Sequence, residues 1–273
     1  MADIIDFKQE VIFASSNKSI SYQISKAEKE GKIKKIAPRL YTANLRDSAE
    51  HIIQRHLFDI LKWRFPEAVI SHRSALELRP TDSGHFFLTT DYSKKITDYK
   101  GIILNVMEGR PALASDINLG GLYISSEWRW MLENMQISRK KGSESKNFPI
   151  EYLEDRLEKI IIREGEEGIN KFRDKAREIA GQLGLDNEFF KLNSIISALL
   201  NTHTANVLTS GSAKARAAGM PYDAKRIELF EILYNNLKNY YFPERTDQNT
   251  SEDSFRLFSF FNDARKSGRS SCR

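Results

Sequence analysis

One cysteine occurs in the 273 residues, Cys272, next to the last position. A lone thiol closes no intrachain disulfide, which excludes a stapled secreted scaffold and points to a reducing, cytoplasmic setting. A reactive thiol needs an ordered electropositive pocket, and the terminal tail offers none in the sequence. Long apolar runs are missing too. Stretches such as "SIISALL" fall far short of the roughly 18 residues of a membrane span, so no membrane is expected as a partner. The opening "MADIIDFKQE" carries Asp3 and Asp6 and no apolar core, and reads as no signal peptide. No Walker lysine motif, no G-x-G-x-x-G and no G-x-S-x-G occurs, so phosphate-loop, dinucleotide and nucleophile-elbow chemistry have no support. "EGEEG" lacks the ligand spacing of a calcium loop and reads as a helix break.

Histidines are few. Five occur, at 51, 56, 72, 85 and 203. His51 and His56 stand five apart and cannot face one metal from a helix. His56 reads as a histidine at the edge of a core. His72 reads as a structural residue whose hydrogen bond fixes a strand–helix turn, and His203 as a group at a helix end. The acids of "EYLEDRLE" are interleaved with Arg156 and Lys159 and read as ordinary helix pairs. No cofactor, metal or catalytic residue is expected, and the chain reads as a non-enzymatic protein.

What is present is an uneven basic charge. The net charge is +5. From Lys18 to Arg46 there are eight bases against two acids, Glu28 and Glu30, an excess larger than that of the whole chain. Such a stripe is the footprint of a polyanion binder. A solvated lysine-rich face has the same composition, and charge alone leaves both open.

Patterning organises the stripe. "DFKQEVIFA" (6–14) is short and amphipathic, helix or strand. In "SISYQISKAEKEG", Ile20, Ile24 and Ala27 recur at helical spacing, and Gly31 stands where a helix ends in a left-handed residue. The opposite face shows Tyr22, Gln23, Ser25, Lys26 and Lys29, types that contact base edges and phosphates. "KIKKI" and "RLYTA" then read as two strands turning at Ala37-Pro38-Arg39. Helix, glycine and basic hairpin follow in the order of the second half of a winged helix. In such a module the helix enters the major groove and the hairpin lies over the backbone. Tyr22, Gln23 and Lys26 would then face the groove, with Lys29 on the same DNA-binding face, and Lys32, Lys34, Lys35 and Arg39 would meet phosphates.

"KAEKEGKIKKIAPRLYTANLRD", followed by "FPEAVISHRSALEL" with Ile70, Ser71, His72, Ser74, Ala75 and Leu76, resembles the amino-terminal part of AbiEi-type antitoxins and regulators. The resemblance covers roughly residues 15–135. It implies a winged-helix module, promoter DNA as a partner and a cognate toxin as a protein partner.

Further along, "DSAEHIIQRHLFDILKWRF" reads as one helix, capped at Asp47-Ser48 and stopped before Pro66. "AVISHRSALEL" gives a short strand and a helix starting at Ser71. "HFFLTTD" (85–91), "GIILNVMEG" (101–109) and residues 122–125 read as strands. A helix capped by Ser125 or Ser126 follows. "HFFLTTD" and "SEWRWMLENM" belong to a core rather than a binding surface. Helices are expected over 149–165, 168–184, 187–201 and 223–242, the last presenting Ile227, Phe230, Leu233, Leu237 and Tyr241, with a flexible linker at 209–223.

The fold class is therefore α+β: a winged-helix-like module (1–46), an α+β domain (47–137), a helical region (149–205) and a linker, amphipathic helix and basic tail (206–273). Residues 200–239 are also similar to the connector between an AbiEi-like region and a Fic domain in some bacterial proteins. The His-Pro-Phe and Gly-Asn-Gly motifs of a Fic core are absent from this sequence. The alternative expectation is thus a non-catalytic interaction region of a truncated Fic protein.

Overall fold

Val11 and Ile12 are neighbours that face opposite ways, as successive strand residues must. They lie in β1 (Val11–Phe13), the segment left open between helix and strand by its pattern. A computed structural model of the chain describes residues 9–219 and 232–237. The chain divides into two compact units, residues 1–222 and 223–273. In the first, the described residues form an α+β fold with two sheets.

The smaller sheet has the order β1-β3-β2, with β2 at Lys34–Ala37 and β3 at Leu40–Thr42, all antiparallel. Both of its faces are covered. Ile12 joins Ile24 and Ala27 of α1 (Lys18–Lys29) and Ile33 in one buried cluster. Val11, Ile36, Ala37 and Leu40 join the main core instead. Burying one such isoleucine contributes about 1.5–3 kcal/mol, and Ile20, Tyr41 and Ala43 pack against the same cluster to dock α1.

The ends of α1 follow local rules. Asn17 caps it, its Oδ1 accepting from Ser19 N–H at 2.9 Å. Gly31 sits at φ 70°, and the N–H groups of Gly31 and Lys32 donate to the carbonyls of Glu28 and Ala27. That pairing is the Schellman closure expected of a helix-ending glycine.

The hairpin tip turns back on the protein. Arg39 has φ 61° and its guanidinium lies 5.7 Å from the centroid of Trp63, which also stacks on Phe13 at 4.9 Å. Trp63 belongs to α3 (Leu57–Arg64), the continuation of α2 (Ala49–Arg55). One helix was expected here. The structure breaks it at His56, at φ −106° and ψ 23°, where the ring Nε2 donates to Glu10 at 2.7 Å.

The larger sheet has the order β6-β7-β5-β4-β9-β8. Its strands are β4 (Val69–Ile70), β5 (His85–Thr90), β6 (Lys94–Tyr99), β7 (Ile102–Glu108), β8 (Ile117–Asn118) and β9 (Tyr123–Ile124). β5 pairs parallel with β7, and β4 parallel with β9, while β4 and β5 run antiparallel. β6 was not expected. Its register shifts between Ile96 and Tyr99, so its two buried residues are not at strand spacing. The first helix after β4 is α4 (Ser74–Glu77), later than the expected start at Ser71, because His72 is left-handed at φ 54°.

Four helices, α5 (Glu127–Asn134), α6 (Ile150–Leu183), α7 (Asp186–Leu199) and α8 (Gly211–Ala217), pack on one another and share the main core with the sheet. Trp130, Met131 and Leu132 of α5 are buried, as are Phe86, Phe87 and Leu88 of β5, in keeping with their reading as core. α6 is interrupted at Gly165, with φ 70° and ψ −167°, where "EGEEG" reads as a break.

Two expectations for this region are corrected. Residues 209–219 are no linker: α8 packs into the core through the fully buried Ala213. Its start is held by the buried Glu154 carboxylate, which accepts from the N–H groups of Thr209 and Ser210 and from Thr209 Oγ1. "EYLEDRLE" likewise reaches outside its helix. Arg156 pairs with Glu127 at 2.8 Å and Glu158 with Arg216 at 3.1 Å.

Residues 232–237 are helical. The rest of the expected helix 223–242, with Ile227, Phe230 and Tyr241, and the tail with Cys272 lie outside the described residues. Among the described residues no helix is long and apolar enough to cross a membrane.

Candidate functional site

Two sites emerge, one expected from the sequence and one not. The expected site is the outer face of α1 with the β2–β3 hairpin. The sheet buries Ile24 and Ala27, and this forces the opposite face of the helix outward. Tyr22 is 71% exposed, Lys26 and Lys29 are exposed, and Gln23 is half-buried. Tyr22, Ser25, Lys26 and Lys29 recur at spacings of three and four, so they form one stripe along the helix.

The cations differ in what holds them. Lys26 and Lys32 both lean on Glu30, at 3.9 Å and 2.7 Å. Lys34 is turned inward. Its ammonium donates to the carbonyls of Leu45 and Asp47, at 3.2 Å and 2.7 Å, and pins the loop after β3. Arg39 is exposed but stacked on Trp63. Lys18, Lys29, Lys35 and Arg46 form no ion pair among the described residues. The stripe and the hairpin therefore lie on adjoining elements, while Lys34 is committed to the fold.

The unexpected site is a cavity of about 530 Å³ between β5, β7, α5 and the α6–α7 turn. Its inner wall is a chain of polar groups that the fold has buried. Arg129 is 1% exposed. Its guanidinium donates to Glu133 at 2.9 Å and to Asp116 at 2.7 Å, and also to the carbonyls of Pro111 and Arg110. Four of its five N–H groups are thus used. Asp116 also accepts from the N–H groups of Leu113 and Ser126, which places a carboxylate at the start of α5. The expected serine cap is not made there, since neither Ser125 nor Ser126 caps α5 with its side chain. Ser125 donates to Glu133 instead, at 3.0 Å.

Glu133 reaches the next layer. Its Oε2 accepts from the backbone N–H of His72 at 2.9 Å. A left-handed, non-glycine residue is strained, and this bond is one that holds it. The expectation that His72 fixes the strand–helix turn by a hydrogen bond is met by its backbone. Its ring does something further. Nε2 lies 3.1 Å from Gln136 Oε1, and Nδ1 lies 3.2 Å from Ser71 Oγ, which also accepts from Thr89 Oγ1 at 2.8 Å. Burial pushes the His72 imidazole down to about 4, against the pull of Glu133. The ring is therefore neutral near pH 7, with the proton on Nε2 facing the amide oxygen. The groups are not ordered as a nucleophile–base–carboxylate triad, because Glu133 takes the backbone N–H and not the ring.

Lys146 closes this wall. Its ammonium donates to Gln136 Oε1 at 2.6 Å and forms no ion pair among the described residues. Burial lowers its pKa, against the attraction of Glu133 and Glu188. The wall joins residues from 72 to 146, too scattered for any motif. One local signal existed: Arg129 and Glu133, four apart, flank the apolar run Trp130, Met131 and Leu132 in α5. Elsewhere, His85 Nδ1 meets Asn105 at 3.0 Å, while His51 and His203 are exposed. Among the described residues no group of three metal-ligating side chains occurs.

Comparison with protein-family models, with curated proteins and with solved structures finds no match for the chain.

Proposed function

We propose that the chain is a DNA-binding transcriptional regulator of the AbiEi antitoxin type, with its amino-terminal module acting as a winged helix. The observation that carries this reading is the outward stripe of α1, Tyr22, Ser25, Lys26 and Lys29, set beside the β2–β3 hairpin on a sheet of order β1-β3-β2. α1 enters the major groove. Lys32, Lys35 and Arg39 neutralise phosphates, and Lys34 holds the loop that sets the hairpin's angle. Affinity then comes from displaced counterions and falls steeply with salt. A cognate toxin is the protein partner, held by the α+β region, and the protein works without a cofactor or catalytic step in the cytoplasm.

The test is binding to the DNA upstream of its own gene across a salt series, for the native protein and Lys32→Gln/Lys35→Gln. Each lost phosphate contact should lower the log–log slope by about 0.9, so the double variant should lose about 2. Lys34→Gln should leave the slope unchanged and lower stability. No salt-dependent binding, or a slope indifferent to the double variant, rejects the reading.

A second reading is favoured by one observation. In the helical residues 232–237, Ile232, Leu233 and Leu237 are 52%, 55% and 42% exposed, a composition suited to a protein partner. It is the non-catalytic interaction region of a Fic protein. A neighbouring gene for a nucleotidyltransferase toxin supports the regulator. A downstream reading frame encoding His-Pro-Phe supports the Fic reading.

A further inference from the structure

The cavity beneath the α6–α7 turn has no part in DNA recognition, and its chemistry is distinctive. One rim, Glu108, Gly109 and Arg110, is exposed, so the space opens to solvent. One side is apolar, formed by Met107, Leu183 and Leu185. The other is the polar wall of His72, Gln136 and Lys146 over the buried Arg129 pair. The acceptors of that wall are largely engaged. Gln136 Oε1 already receives two groups, and both Glu133 oxygens are occupied. Donors remain. Lys146 uses one of its three ammonium hydrogens, and no bond is made by the Gln136 amide N–H₂ among the described residues. Arg129 offers no free cation, since it is neutralised by two carboxylates.

The cavity thus presents one partly desolvated cation, Lys146, beside a free amide donor, with an apolar surface opposite and the exposed Glu108 and Arg110, one charge of each sign, at its rim. We propose that it binds a small organic carboxylate, the carboxylate bridging the Lys146 ammonium and the Gln136 amide and the apolar part lying against Met107, Leu183 and Leu185. A single cation matches a single negative charge. A phosphate dianion would need a second desolvated cation, and the other unpaired one, Arg110, stands on the exposed rim beside the Glu108 carboxylate. Partial burial makes the charge-assisted bond stronger than it would be on an open surface. A volume of about 530 Å³ lies within the usual range of small-molecule sites. The inference is independent of the DNA reading.

The test uses the full chain with methionine labelled at its ε-methyl carbon. Met107 lines the cavity, and its signal is assigned by Met107→Leu. Acetate, butyrate and benzoate are titrated at constant ionic strength, with benzyl alcohol as the uncharged control. Benzoate or butyrate should shift the Met107 signal saturably and raise the melting temperature. Lys146→Gln should weaken that binding at least about tenfold, with the other methionine signals unmoved as proof of folding. Lys146→Arg should restore most of it. No saturable shift with any of the three acids overturns the proposal. Equal binding of benzyl alcohol overturns the anion, and titrations unaffected by Lys146→Gln overturn the docking residue.

Discussion

Glu10 and His56 meet at 2.7 Å, carboxylate to ring Nε2, across 46 positions of sequence. The same carboxylate accepts from Asn44 at 2.7 Å and Arg55 at 2.5 Å. One acid thereby ties the strand that opens the small sheet to the end of β3 and to the break between α2 and α3.

That convergence sets an acid-sensitive joint. The bonds from Asn44 and His56, and then Arg55, hold the Glu10 carboxyl at about 2, against an ordinary 4.5. Its folded pKa lies below its unfolded one, so its contribution is complete above pH 4.5 and fades as pH falls toward 2. Glu10→Gln should cost about 1–2 kcal/mol at pH 7 and much less at pH 2, where half of the folded carboxyl is protonated. Urea midpoints at the two pH values check this, and an equal loss at both would refute it.

His72 titrates in a different window. Buried and neutral, it protonates near 4 in the folded chain and near 6.5 when unfolded. The unfolded chain binds the extra proton first. Stability should therefore be intact above pH 6.5 and fall by about 3 kcal/mol as pH drops to 4. His72→Asn keeps a residue that tolerates the left-handed backbone and removes the titration. Its stability profile between pH 6.5 and 4 should be flatter than the native one, and parallel profiles would count against the argument.

The Arg129 pairs predict an asymmetry. Arg129→Met strands Asp116 and Glu133 in the interior and should cost about 3–5 kcal/mol in chemical denaturation. Arg129→Lys should recover less than half of that, because a single ammonium cannot reach two carboxylates and two carbonyls. Full recovery by lysine would show that charge alone matters there.

Two glycines of α6 should respond with opposite signs. Gly165 has φ 70° and ψ −167°, and a Cβ there would meet nothing within 4 Å. Any cost of Gly165→Ala is therefore backbone strain, about 1–3 kcal/mol. Gly181 is helical and equally open, so Gly181→Ala should stabilise by about 0.5–1 kcal/mol. Thermal melts of the two variants decide it. Stabilisation by both would mean that residue 165 can join the helix.

Much of this was open to a reader of the sequence where the signal is local. The stripe of α1, its closure at Gly31, the turn at Pro38-Arg39 and the break at Gly165 each depend on a few adjacent residues. Backbone sterics and helical periodicity act over that same range. Tertiary structure decided what depends on distant partners. The α2–α3 helix breaks where His56 finds Glu10, and α8 forms where Glu154 waits 55 positions back. Lys34 looked like its basic neighbours until two carbonyls of the next loop claimed it. The cavity was hidden for the same reason: His72, Arg129, Gln136 and Lys146 share no spacing, and only the stacking of helix on sheet makes neighbours of them.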